Sequence, residues 1–174
     1  MERADEILKE ILDKALAKHG FLQTNDTDNI YSLIRDNDPG RITAKIILPE
    51  PGNESTFGIR GIQAIGNFRF KTPTPGVNEP DFYIFVFQYQ TNNCIELIII
   101  SCTELIKRNR YRNCINVDNK GTEFIFYLME GNLLFDGSEL GGEGRYYYID
   151  GRMAENTYRN YTEFLNNWKL LTTI

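Results

Sequence analysis

The stretch Asp81–Ser101 reads DFYIFVFQYQTNNCIELIIIS. Two runs of large apolar side chains flank a short polar link, TNN. Aromatic and β-branched residues suit a pleated, covered surface. A run with little polar alternation predicts a strand buried on both faces. The three-residue link predicts an antiparallel hairpin. A chain built around such a pair must supply apolar cover on each side of it.

Upstream, residues 3–19 place Ile7, Leu8, Ile11, Leu12, Ala15 and Leu16 at helical spacing, with charged residues opposite. Gly20 is a C′ residue for this helix, and Lys14, Lys18 and His19 sit near the end where cations complement the dipole. QTNDTDN reads as a loop. IYSLIR and RITAKIIL read as a hairpin closed by DNDPG. FGIRGIQAI and NFRF read as strands broken at Gly66, and KTPTPGVNEP as a loop. Downstream, Ser101 opens S-C-T-E, a capping box with Glu104 at N3, before a short helix that runs into KRNRYR. TEFIFYLM and NLLF form a hairpin around EGN, and RYYYID is a further strand. Residues 154–169 read as a closing helix with Tyr158, Tyr161, Phe164, Leu165 and Trp168 on a core stripe. The expected fold is a single α+β domain over residues 1–174. Its mixed central β-sheet is flanked by an N-terminal helix, a short middle helix and a C-terminal helix.

Charge and composition narrow the function. The chain has 174 residues, 24 of them acidic and 19 basic, for a net charge of -5. This excludes a generally cationic nucleic-acid binder and leaves room for a local basic patch. The lone histidine, His19, excludes a multi-histidine metal centre, and it excludes most Ser-His or Cys-His catalysis unless His19 itself is the base. Three cysteines without a CxxC pair predict reduced thiols in a cytoplasmic setting. MERADEILKE has no signal-peptide core, and IELIIIS is far too short to span a membrane, so no membrane partner is expected.

Several residues are candidates for chemistry. Lys45 interrupts an apolar strand, as a functional cation or as an edge lysine with its head in water. Asp26 and Asp28 lie in a segment of turn composition, and Glu10 lies toward the polar side of the first helix. KRNRYR gathers Lys107, Arg108, Arg110 and Arg112 around Tyr111. Such a run contacts phosphates while the tyrosine stacks on a base, or it is a solvated helix end. GGEGR reads as a flexible turn. Tyr146, Tyr147 and Tyr148 alternate across a strand and offer a face to a protein partner or a second copy.

The order of these parts resembles the PD-(D/E)XK nucleases, the restriction-endonuclease-like superfamily. Members carry an acidic residue on the first helix, an aspartate near a strand start, and (D/E)-x-K on the next strand. Here the helix offers Glu6 and Glu10, Asp26 and Asp28 stand just before IYSLIR, Thr43-Ala44-Lys45 stands in the place of (D/E)-x-K, and DFYIFVF followed by CIELIIISCTEL resembles the following strand pair and short helix. FLNNWKLL is similar to the tail of some members. The resemblance implies that Asp28 and Glu10 hold Mg²⁺, that Lys45 serves the phosphate, and that KRNRYR grips DNA. Thr43 stands where the second carboxylate belongs and is a neutral, weak magnesium ligand. The expectation is therefore a degenerate, non-catalytic nucleic-acid-associated member. The alternatives are an active Mg-dependent endonuclease or a small protein-interaction domain. A second register of the motif pairs Pro80-Asp81 with Glu96-Leu97-Ile98.

Overall fold

The computed structural model describes residues 2–27, 30–35, 38–49, 57–59, 62–72, 79–88, 95–111, 122–129, 132–137 and 158–172. Asp28, Arg112 and the RYYYID and GGEGR segments lie outside them, as do the side chains of Arg110 and Tyr111. The fold is α+β. Helix α1 (Glu2–Lys18) leads into β1 (Phe21–Thr27), β2 (Ile30–Arg35) and β3 (Asp38–Ile47). Then come β4 (Phe57–Ile59), β5 (Ile62–Thr72), β6 (Phe82–Gln88) and β7 (Ile95–Ser101). Helix α2 (Cys102–Tyr111), β8 (Thr122–Met129) and β9 (Leu133–Asp136) follow.

Two sheets form in place of the one expected. The first has the order β1-β2-β3-β6-β7 and the second β4-β5-β8-β9. All neighbours are antiparallel except β3 and β6, which run parallel. The segment read as a loop, QTNDTDN, is largely β1. Its backbone pairs with β2 despite its polar side chains, as befits an outer strand. The expected break at Gly66 is a bulge: Ala64 opposes Met129 and Gly66 opposes Leu128, leaving Ile65 unmatched inside a continuous β5.

The hydrophobic hairpin sits where its composition demands. Ile84, Phe85, Val86 and Phe87 of β6 are fully buried. Alternate residues serve two cores. Tyr83, Phe85, Phe87, Ile98 and Ile100 meet Phe68 and Phe70 of β5 and Phe124, Phe126 and Leu128 of β8 between the sheets. Ile84, Val86, Leu97 and Ile99 meet Leu12 and Leu16 of α1 on the opposite face. The core between the sheets is an aromatic lattice, with Phe70 edge-on to Phe85, Phe87 and Phe126 at 5.2–5.9 Å. Such pairs each add about 0.5–1.5 kcal/mol beyond area burial.

The expected C-terminal helix does not form. In its place are two short 3-10 turns, Thr162–Phe164 and Trp168–Thr172, joined by an extended Leu165. Asparagine explains the difference. The Asn160 side chain accepts from the Thr162 N–H, and Asn166 takes a positive φ of 51°. The freed backbone then pairs with the sheets. Tyr161 N–H donates to Leu134 and Asp136 N–H to Arg159, which seals β9. Asn166 N–H donates to Leu97 at 2.7 Å while its side chain accepts from Leu97 N–H, which seals β7. Tyr161 and Phe164 fill the core between the sheets, and Leu171 fills the core under α1. The apolar stripe read as a helix face is buried by a different backbone.

Candidate functional site

Strand alternation sorts the candidate residues by face. On β3, Ala44 and Ile46 point toward α1, whereas Ile47 points between the sheets. Arg41, Thr43 and Lys45 share the Ile47 face. Glu10 is on α1, beyond the other face, where it is exposed and ion-paired with Lys14 at 2.7 Å. That bond holds its carboxyl below the usual range. Lys45 and Glu10 are therefore not brought together. Among the described residues no group of three His, Cys, Asp or Glu side chains is arranged to hold a metal ion.

Thr43 has a different partner. Its N–H and its hydroxyl both donate to Asp81 Oδ2, at 2.8 and 2.7 Å. The hydroxyl in turn accepts from the Asp81 N–H at 3.1 Å. This reciprocal clamp ties the start of β6 to β3, directly alongside the parallel ladder that begins at Ala44 and Phe82. The residue in the place of the motif's carboxylate thus spends its hydroxyl on a neighbouring strand. The register pairing Asp81 with Glu96 is not formed. Phe82 opposes Ser101 and Phe87 opposes Glu96, so the two acids lie at opposite ends of the hairpin, about 20 Å apart. Glu96 is half-buried, and burial raises its pKa.

Lys45 lies opposite Tyr83 on β6 and Ile30 on β2. It is half-buried, and no hydrogen bond or ion pair holds its ammonium among the described residues. Beyond Asp81, Cys102 begins α2 and donates its thiol proton to Glu79 at 2.8 Å. Burial, then the Glu79 carboxylate, push the Cys102 pKa up to about 12. Burial likewise raises the Tyr83 phenol to about 12, with help from the charges of Cys102 and Glu79. Both groups stay neutral near pH 7, so neither is an activated nucleophile or a general base.

The run KRNRYR is partly dismantled as a phosphate grip. Ser101 caps α2 as expected, its hydroxyl accepting from the Glu104 N–H. That places Glu104 one turn before Arg108. Arg108 is only 3% exposed. Its Nε donates to Glu104 at 2.9 Å, Nη1 to the Asn160 carbonyl at 2.7 Å and Nη2 to Glu163 at 2.8 Å. The guanidinium also lies over the rings of Tyr161 and Phe164, 4.8 and 4.6 Å from their centroids. Arg108 joins α2 to the C-terminal segment and is corrected from a DNA contact to an internal one. Lys107 is exposed but paired with Glu104 at 3.2 Å. His19, expected at a helix end, is there. It stacks on Trp168 with centroids 4.0 Å apart, and burial lowers its pKa.

Sequence reasoning missed Arg41. It is exposed, and its Nη2 donates to Ser32 Oγ at 2.6 Å. The available signal was the two-residue spacing Arg41, Thr43, Lys45, which puts all three on one face. No family model, no curated protein and no solved structure gives a match to this chain.

Proposed function

We propose that this chain is a restriction-endonuclease-like domain that binds nucleic acid without cleaving it. The observation that carries this reading is the Thr43–Asp81 clamp. A metal-dependent phosphodiesterase needs ionised oxygen ligands grouped around Mg²⁺, beside a cation that faces the phosphate. Lys45 supplies the cation. The described donors do not fit the ion: Thr43 is neutral and engaged with Asp81, and Glu10 lies across the sheet with Lys14. What remains is the Lys45 ammonium, held by no ion pair among the described residues, which suits a phosphodiester backbone.

The test joins cleavage to binding. Supercoiled plasmid incubated with the protein and Mg²⁺ or Mn²⁺ is expected to remain intact. A labelled short duplex is expected to bind at about 50 mM salt and to weaken steeply as salt rises. Lys45→Ala should reduce that affinity. Nicking that Lys45→Ala and Asp81→Asn both abolish would establish an active endonuclease, with Asp81 in place of the missing carboxylate. An absence of binding even at low salt would leave the protein-interaction reading.

A further inference from the structure

We infer that Glu96 is a pH-sensitive latch on the C-terminal strap, residues 158–172. The strap is held against β7 while the Glu96 carboxyl carries its proton, and it loosens when the carboxyl ionises. This goes beyond the nucleic-acid reading and does not depend on it. β7 is the last strand of the first sheet, with β6 on one side and the strap on the other. The strap passes around that edge, from Tyr161 and Phe164 in the core between the sheets to Leu171 in the core under α1. At β7 it is fastened where Ile98 bridges Leu165 and where Leu97 exchanges two hydrogen bonds with Asn166, at 2.7 and 2.9 Å. Glu96 directly precedes Leu97.

The side chain of Glu96 stands where a charge is costly. Opposite Phe87 and in alternation with Ile98 and Ile100, it shares the face turned to the core between the sheets. Phe87 is fully buried there, edge-on to Phe68 at 4.8 Å. Glu96 is half-buried, and its Oε2 is shut off from water without a hydrogen bond. Among the described residues no hydrogen bond or ion pair holds this carboxyl. The strap's adjacent amides are spent elsewhere: Asn166 accepts from the Leu97 N–H, and Asn167 donates to the Glu163 carbonyl at 2.9 Å. The titratable groups on the neighbouring elements offer no counter-charge either. Tyr83 of β6 is neutral, Asp136 of β9 faces the same core opposite Phe126, and Glu163 of the strap is held by Arg108. Arg159 donates to the Asp136 carbonyl, Lys169 is exposed on the strap, and Arg69 alternates to the outer face of β5. Burial raises the Glu96 pKa, so the folded chain keeps this proton to a higher pH than the unfolded chain. The stabilisation is therefore complete below the ordinary value of 4.5 and is lost as pH rises through the raised, folded value. The ionised carboxylate regains water at the strand edge, which is where the strap lies.

The measurement is amide hydrogen exchange on the full chain from about pH 5 to about pH 8, with each rate corrected for the intrinsic pH dependence of exchange. Protection of the Leu97 and Asn166 amides is expected to fall several-fold as pH rises, while the β5–β8 ladder keeps its protection. Glu96→Gln, which keeps the shape and cannot ionise, is expected to hold both amides protected across the range. His19, stacked on Trp168 of the strap, works in the opposite direction, because burial lowers its pKa and it takes up a proton only as pH falls. Protection at Leu97 and Asn166 that does not vary with pH in the unaltered protein would overturn the inference. So would a fall that persists in Glu96→Gln. A loss spread equally over the β5–β8 ladder would overturn it too, since that marks unfolding of the whole molecule in place of strap opening.

Discussion

Arg108 and Arg41 carry the same guanidinium into opposite surroundings. Arg108 spends its donors on two glutamates and a backbone carbonyl and its flat face on two aromatic rings. Among the described residues Arg41 makes one side-chain bond, to a serine hydroxyl. The first sits in KRNRYR, where local composition advertises a binding patch. The second sits alone among apolar strand residues. The difference teaches that density of basic residues is a weak guide to an anion site. A cation contributes to binding in proportion to what its own protein leaves unsatisfied, and partners from distant segments decide that. Glu163 lies fifty-five positions from Arg108.

Three substitutions test the contrast through stability. Arg108→Ala should have the largest effect, a loss of about 3 kcal/mol in urea unfolding, because it removes a buried charged hub and the ring contacts together. A loss below about 1 kcal/mol would place Arg108 with the solvated cations. Thr43→Val should cost about 1 kcal/mol, since it deletes both hydroxyl bonds of the clamp but keeps the backbone bond to Asp81. An unchanged unfolding midpoint would mean that the parallel β3–β6 ladder needs no clamp. Arg41→Ala should change stability by less than about 0.5 kcal/mol, since it removes one hydrogen bond from an exposed side chain. Destabilisation comparable to that of Arg108→Ala would erase the contrast.

Much of the fold was legible because its signals are local. The β2–β3, β6–β7 and β8–β9 hairpins follow from apolar runs bounded by turn residues. Gly20 has the positive φ of 80° that its place after α1 predicted, and Ser101 caps α2. What escaped was decided at a distance. β1 is polar and becomes a strand because β2 offers it an edge. The stripe of Tyr161, Phe164 and Leu165 has helical spacing, yet Asn160 and Asn166 divert the backbone onto two sheet edges that no local pattern reveals. The site was legible in part. Lys45 stood out as a lysine in an apolar run, but that no ion pair holds it among the described residues depends on neighbouring strands. The Thr43–Asp81 clamp joins two segments thirty-eight positions apart, and only the parallel pairing of β3 and β6 brings them together.

The lacing of β7 and β9 by residues 158–166 bears on how the molecule is made. During synthesis both hairpins emerge well before the segment that seals them, so two hydrophobic strand edges wait uncovered on the ribosome. Closure is a long-range event, slow in the way that non-local pairings are. The nascent chain is most exposed to aggregation in the interval between the appearance of Asp136 and that of Asn166.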